Sequence, residues 1–376
     1  MAVLAGEVVA HTGPPRRAAP AAAVTSPAIP GNGDLRMPPR EPARMVGRQM
    51  PRDAGPRLVV GGRRPGWLWV ATGRTEPIRG LPRRDNGYQL IRVDGGWAAL
   101  PFPGPTVSPC ADCAPRPMPV YYIADGSRKA KGLGAAVFVA PAATRGAVWL
   151  VSYRAGASMP ATAGTAQEFS TAGTALGPRR RLPRGYVVDQ GTVAGLLLAP
   201  ERAGPGAVRY QLWDPGTGRV SRSFQNVMAA NPGEIAWMSA CPARCTVHVA
   251  NLEGGPDRII PLARRSQSYQ GAFSPDGRLL ALQLIAGTGA SGRAVANQLV
   301  VAVVASGRLI VVPGTTIGSG IGVDFGWQAA SDQLVADVGL QDAWQVAVWR
   351  PGDARLYVAV TQAPAGSWPV IGPGPY

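Results

Sequence analysis

The chain has 376 residues, 46% of them apolar, with a formal net charge of +16 and a mean hydropathy of +0.02. This length and apolar content can bury a substantial core and allow one to three domains. No stretch of about 18 consecutive apolar residues occurs, so the sequence predicts no membrane-spanning helix.

The positive charge has to be weighed against its distribution. Cationic side chains are what nucleic acids and anionic surfaces require, but Lys129 and Lys131 are the only lysines among 38 basic residues. That ratio is typical of a high-GC coding bias. The densest basic cluster lies in a predicted loop with no aromatic residues between the arginines to stack on bases, so a solvated face is the favoured interpretation. We expect no specific nucleic-acid binding, and the candidate binding residues for an anionic polymer are Arg179, Arg180, Arg181 and Arg184.

Residues 1–57 differ in composition from the rest of the chain. All 10 Trp, 9 Tyr and 6 Phe lie C-terminal to Arg57, so this segment lacks the large aromatic side chains that anchor cores. It is rich in Pro, Ala and Arg, which predicts a disordered tail over 1–57 and one folded domain over 58–376. No basic and apolar signal peptide follows Met1. We therefore expect a cytoplasmic protein, or an extracytoplasmic one if translation starts further upstream.

From Leu58 onward the sequence alternates as strands do, and strand pairs separated by turn residues recur about every 45 residues. This period and content are typical of a β-propeller, whose blades bury their faces only against one another. The outer hairpin of each repeat is the better marked. Seven outer hairpins are predicted, at residues 67–74, 120–127, 166–173, 210–220, 247–255, 299–309 and 346–356.

Only six inner hairpins can be identified. They lie at residues 88–97, 137–151, 186–198, 235–247, 270–282 and 323–336. The first repeat therefore lacks its inner pair, and Leu58–Val60 with Ser367–Ile371 are the candidates for completing it. The sequence predicts an all-β fold of seven four-stranded blades, one of them composite, with six blades and an appended hairpin as the alternative.

The turn Ser274–Gly277 lies between two apolar strands in the run Phe273-Ser-Pro-Asp-Gly-Arg-Leu-Leu-Ala. Here the sequence resembles the TolB-like and WD-repeat-like propellers, whose blades carry this turn between their two inner strands. The resemblance covers residues 58–372 as an architecture, but one blade alone carries the motif cleanly, so the partner surfaces of those families are not carried over. For Ser274 and Asp276 themselves the residues indicate turn formation and not chemistry.

The four cysteines form two close pairs, and the candidate disulfides join Cys110 to Cys113 and Cys241 to Cys245. A zinc ion shared between the pairs is disfavoured, because structural zinc knuckles lie much closer together in sequence than these pairs do. No unpaired cysteine is left over, which favours disulfides and an oxidising compartment. We expect no metal and no cofactor.

Catalytic motifs are scarce. His248 lies in an alternating strand, and neither a nucleophile elbow nor a Walker loop occurs. We expect no catalytic residue, and three hypotheses of function remain. The favoured one is a monomeric, non-catalytic propeller that binds a protein or small ligand at one rim. The others are a propeller hydrolase or lyase acting in the central channel, and a cell-envelope or anionic-polymer binder using the surface arginines.

Overall fold

The computed structural model describes residues 44–52, 55–102, 116–153, 164–200, 208–239, 245–262, 266–288, 294–318, 323–328, 332–340, 343–362 and 367–371. These residues form thirty strands and no helix, so none of them provides a helix long and apolar enough to cross a membrane. The all-β prediction is confirmed.

The strands group into sheets in which consecutive strands pair antiparallel. Strands β1 to β4 are Arg48–Gln49, Arg57–Gly62, Gly66–Trp69 and Arg74–Pro77. Strands β5 to β8 are Tyr88–Val93, Gly96–Pro101, Met118–Ala124 and Ala130–Ala136. Strands β9 to β12 are Phe138–Pro141, Ala147–Ser152, Thr165–Ser170 and Arg180–Arg181. Strands β13 to β16 are Tyr186–Thr192, Gly195–Pro200, Arg209–Trp213 and Val220–Gln225.

The second half of the chain continues in the same way. Strands β17 to β20 are Val227–Ala230, Glu234–Met238, Thr246–Asn251 and Arg258–Pro261. Strands β21 to β25 are Ser266–Phe273, Leu279–Thr288, Ala294–Val303, Arg308–Val311 and Ile317–Gly318. Strands β26 to β30 are Val323–Gln328, Gln333–Gly339, Trp344–Trp349, Tyr357–Thr361 and Ser367–Val370. We call β5, β9, β13, β17, β21 and β26 the first strands, because each opens a meander of four.

The two chain segments proposed to complete the first repeat pair with each other. Strand β30 lies antiparallel beside β2, with Val59 opposite Val370 and Gly62 opposite Ser367. Strands β3 and β4 follow β2 in the same sheet. Strand β30 therefore completes a group of four strands with β2, β3 and β4. This group is joined to β5–β8 in one eight-stranded sheet by a single pair, Gly62 opposite Tyr88.

One predicted inner hairpin is displaced by a strand. Residues 235–247 do pair, as β18 with β19, but they form the second and third strands of their sheet. The first strand of that sheet is β17, which sequence analysis missed. Val227–Ala230 has only four residues, too few to show a convincing alternation.

Part of the predicted N-terminal tail belongs to the folded domain. Met45 and Met50 are both 3% exposed, and β1 adds a parallel strand to the edge of β29. Gln345 holds this segment with two buried hydrogen bonds, accepting from the Met45 backbone N–H at 2.8 Å and donating to the Met45 carbonyl at 2.9 Å. The aromatic count placed the boundary too late, because here methionine side chains provide the burial. Residues 1–43 lie outside the described part.

The core consists of seven apolar clusters within the described residues, and each lies between two groups of four strands. Successive clusters join β2–β4 to β5–β8, and then each later meander to the next. The last cluster packs β27, β28 and β29 against β2, through Val335, Val346 and Leu58. Strands β27–β29 at the end of the chain therefore contact the group of β2, β3, β4 and β30 at its start.

Candidate functional site

A cavity of about 640 Å³ lies among the first strands, mostly at their carboxyl halves and the turns that follow. Strands β5, β9, β13, β17, β21 and β26 all contribute to its wall. A volume of this size is in the range that holds small organic ligands. Since every meander from the second onward supplies part of the wall, the cavity exists only when all of these sheets are assembled.

Three of the first strands carry β-bulges where they meet the cavity. The register shifts between Val188 and Gln190 in β13, between Val227 and Ala229 in β17, and between Ser268 and Gly271 in β21. A bulge inserts an extra residue and changes the direction of its side chain. The bulged positions that line the cavity are Asp189, Met228 and Gln270.

Asp189 is the most unusual ionisable group in this cavity. It is partly buried, and burial alone raises the pKa of its carboxyl to about 6. Among the described residues, no cation or hydrogen-bond donor offsets that shift. Tyr210 also lines the cavity, and its pKa rises to about 12, mainly through burial and further through the charge of Asp189. A carboxylate without a protein partner is a group that a ligand can satisfy.

The other charged side chains of the wall are engaged. Arg92 donates two hydrogen bonds to the Asp125 carboxylate, at 2.5 and 2.7 Å. Asp94 accepts a hydrogen bond from the Gly146 backbone N–H at 2.8 Å. The Asp94 contact ties the turn between β5 and β6 to the turn between β9 and β10 of the next sheet. The Arg92–Asp125 contact joins β5 to the turn after β7 within one sheet, so both carboxylates have structural roles at the rim of the cavity.

Aromatic rings complete the wall. Tyr210, Phe273 and Trp327 all face the cavity. The Trp327 indole N–H donates to the Ala272 carbonyl at 2.9 Å, which holds the ring between β26 and β21. The wall therefore offers ring surfaces beside a carboxylate, and these are the two chemical groups that bind organic cations.

A second cavity of about 210 Å³ shares wall residues with the first, namely Arg92, Asp125 and Trp327. On its other side lies Arg57, whose guanidinium carbon is 4.5 Å from the ring centroids of both Trp67 and Trp69. Glu76 lies 3.5 Å from the Arg57 guanidinium and 2.6 Å from that of Arg128. Arg57 thus contacts two indole rings and the Glu76 carboxylate, while its buried Nε has no hydrogen-bond partner among the described residues.

Two acidic residues lie opposite each other outside the walls of both cavities. Asp324 in β26 is directly opposite Asp337 in β27, so the two side chains are on one face of the sheet. Asp337 is 1% exposed, and within the described residues its Oδ2 has no hydrogen-bond partner. Burial raises its pKa well above the ordinary value, and the charge of Asp324 raises it further.

The arginines proposed from sequence do not belong to the cavity. Arg180 and Arg181 form β12, the edge strand of its sheet, and Arg179, Arg181 and Arg184 are exposed. None of the four lines the cavity. Their binding role stays a prediction.

The other motifs named from sequence are the Ser274–Gly277 turn, His248 and the cysteines, and of these the turn contributes Ser274 and Pro275 to the cavity wall. Ser274 and Asp276 close the turn between β21 and β22, with a hydrogen bond of 2.7 Å from the Ser274 hydroxyl to the carboxylate. The His248 ring stacks on Trp237 at 4.3 Å between centroids. Cys245 is disulfide-bonded. Cys110, Cys113 and Cys241 lie outside the described residues, so the two pairings stay predictions.

Sequence reasoning missed Asp189. The signal that could have found it is a break in alternation, since Asp189 and Gln190 are consecutive polar residues in an otherwise regular strand. Such a break is typical of a bulge. It does not reveal that the bulged residue faces a cavity.

No protein-family model and no curated protein matches the sequence. Among solved structures, a puromycin-hydrolysing peptidase of Mycobacterium tuberculosis aligns at 15% identity with a TM-score of 0.46, over 86% of this chain and 54% of the peptidase. TolB from Acinetobacter baumannii aligns at 11% identity with a TM-score of 0.39, over 70% of this chain and 64% of TolB. This chain thus spans less than two thirds of either protein.

A mutant of the Synechocystis apocarotenoid oxygenase aligns at 10% identity with a TM-score of 0.47, over 89% of this chain and 93% of the oxygenase. At such TM-scores these similarities assign no function to this chain. The function of this chain has to be inferred from its own residues.

Proposed function

We propose that the chain forms a closed seven-bladed β-propeller that binds a small organic ligand in its central cavity without converting it. The ring is supported by the order of the seven apolar clusters, because the last cluster joins the final meander to the first. In this arrangement β30, β2, β3 and β4 make the composite blade, and the first strands face the central channel.

The closure can be tested by a cross-link between β2 and β30. Val59 and Val370 are directly opposite each other, so cysteines at these two positions should form a disulfide under mild oxidation. Peptide mapping by mass spectrometry would identify the linked pair. The control places cysteines at Val59 and Val360, because Val360 is exposed on β29. Equal cross-linking in both variants would contradict the closure.

The ligand-binding proposal is carried by one observation, the unpartnered Asp189 on a bulge in the cavity wall. A carboxylate in this setting destabilises the fold without improving packing. Proteins keep such groups at functional sites, where a bound ligand offsets the cost. The sparse catalytic inventory of the sequence favours binding over chemistry.

A cavity-filling substitution tests the location. Ala230→Phe adds a ring to the cavity wall, whereas Ala354→Phe adds the same ring to an exposed turn before β29. We would record saturation-transfer NMR of the full chain with benzylamine, benzyl alcohol and benzoate as probes. Binding of at least one probe should be lost in Ala230→Phe and kept in Ala354→Phe. If no probe binds, or if both variants bind like the parent protein, the proposal is wrong.

A hydrolase or lyase acting at Asp189 is the second candidate function. Burial places the pKa of Asp189 at about 6, near the operating pH of a general acid or base. Glycoside chemistry needs a second carboxylate, and Asp94 and Asp125, the other two in the described wall, are engaged in the rim. Turnover of an ester or glycoside that is abolished by Asp189→Asn would favour the enzyme.

A further inference from the structure

The charge of the cavity is opposite to that of the chain. Among the described residues its wall holds three carboxylates, Asp94, Asp125 and Asp189, and one guanidinium, Arg92. The whole chain carries a formal charge of +16. A local negative site in a strongly basic protein selects for cations and repels anions.

The excess negative charge is concentrated at Asp189. Arg92 neutralises Asp125 through two hydrogen bonds, and a backbone N–H satisfies Asp94. Arg145 lies beside Asp94 as well, at 3.9 Å. No comparable group reaches Asp189 within the described residues. A cationic ligand would therefore place its charge at this carboxylate.

The rest of the wall indicates the body of the ligand. Phe273 and Trp327 present aromatic surface, and Met228 and Ala229 present aliphatic surface. An ammonium group gains further from an aromatic face within about 6 Å. A purely inorganic cation would leave this apolar surface unused. Nor are three His, Cys, Asp or Glu side chains grouped as metal ligands in the described part of the chain.

We propose that the ligand is an organic amine, with a protonated amino group paired to Asp189 and an apolar body against Phe273, Trp327 and Met228. This inference rests on the proposed function, since it names the ligand class of the same cavity. It goes beyond that function because a neutral or anionic ligand would still fit the proposal of ligand binding in the cavity but would contradict the amine assignment.

The test compares three probes of similar shape and different charge. Benzylamine is cationic at pH 7.5, benzyl alcohol is neutral and benzoate is anionic. The dissociation constant of each would be measured by NMR titration of the full chain. We expect benzylamine to bind at least about tenfold more tightly than benzyl alcohol, as one charge-assisted contact provides, and benzoate to bind most weakly.

Two matched variants separate the site from the overall charge. Asp189→Asn should remove the preference for benzylamine over benzyl alcohol. Asp85→Asn should keep it, because Asp85 is exposed in the loop before β5, whereas the cavity lies at the carboxyl end of that strand. Both variants remove one negative charge from the protein, so a difference between them reports on position.

The outcomes distinguish the two proposals. If benzyl alcohol or benzoate binds as tightly as benzylamine, and Ala230→Phe abolishes that binding, the amine assignment is overturned while the cavity remains a ligand site. If Asp85→Asn loses the preference as fully as Asp189→Asn, the assignment is also overturned. If none of the three probes binds to the parent protein, both proposals are overturned.

Discussion

Two acidic residues in this protein, Asp189 and Asp337, both have a raised carboxyl pKa but lie in different surroundings. Burial raises the pKa of both carboxyls. Asp189 is the extra residue of a bulge and faces a cavity, whereas Asp337 sits in regular register opposite Asp324 and is 1% exposed. The comparison shows that a raised pKa alone does not mark a site. What separates the two is the space beside the carboxyl.

The environments also predict different protonation states. Asp337 faces a second acid across the strands, and two such groups do not both ionise readily. It lies on the same face as Val335, which packs against the first sheet. We interpret Asp337 as a carboxyl in the packing between sheets whose neutral form is favoured by burial. Asp189 ionises near pH 6 and is then available to a ligand.

The largest effect is expected from Asp337→Asn. Burial and the charge of Asp324 raise the pKa of Asp337 in the folded state, so the stability of the parent protein falls as the pH rises above the unfolded pKa. The neutral amide removes this loss, so Asp337→Asn should gain unfolding free energy over the parent protein as the pH rises from 5 to 8. Urea unfolding at pH 5 and pH 8 would measure it. We expect Asp337→Asn to bind benzylamine as tightly as the parent protein does, and weaker binding would contradict the distinction between Asp337 and Asp189.

Asp189→Asn should also stabilise the protein, by at most about 3 kcal/mol at pH 7, because the carboxyl pKa is raised from 3.8 to about 6. The folded pKa lies above the unfolded one, so this destabilisation is absent below about pH 4 and is fully present above about pH 6. The stability difference between parent and variant should therefore grow across that window. Urea unfolding at pH 4 and pH 7 provides the measurement, and a variant less stable than the parent at pH 7 would contradict the proposed setting of Asp189.

A smaller change in stability is expected at Gln345, whose side-chain amide is hydrogen-bonded on both sides. Gln345→Leu removes two buried hydrogen bonds to the Met45 backbone, which should lower the unfolding free energy by about 2 kcal/mol. The same change at Gln362, which is exposed after β29, serves as the control in thermal and urea unfolding. Equal stability of the two variants would mean that the Gln345 hydrogen bonds to residues 44–50 contribute little to the stability of the fold.

Much of the fold was predictable because a repeat of strand pairs carries its signal locally. Each of the seven predicted outer hairpins pairs in the structure, and Leu58–Val60 meets the segment predicted to complete its sheet. Alternation and turn residues are enough for such predictions. The short strand β17 and the buried Met45 escaped, since four residues give little periodicity and the burial of methionine depends on its partners.

The candidate site was far less predictable. The arginine run stood out in the sequence because its members are adjacent, yet the structure places Arg180 and Arg181 on an edge strand outside the cavity wall. Arg92, Asp189 and Trp327 are far apart in the sequence, yet all three line one cavity. Nothing local in the chain connects residues that only the assembly of the sheets brings together.

The sequence by itself determined most of the strand content and the period of the repeat, because these follow from alternation and turn chemistry within short stretches. The missing inner hairpin of the first repeat indicated which two segments pair. Only the tertiary structure decided which acid matters. Whether a carboxyl such as Asp189 faces a cavity, or like Asp337 is enclosed against a second acid, depends on bulges and on neighbouring sheets. Solvation and charge at a residue are set by everything packed around it, and no local pattern encodes that.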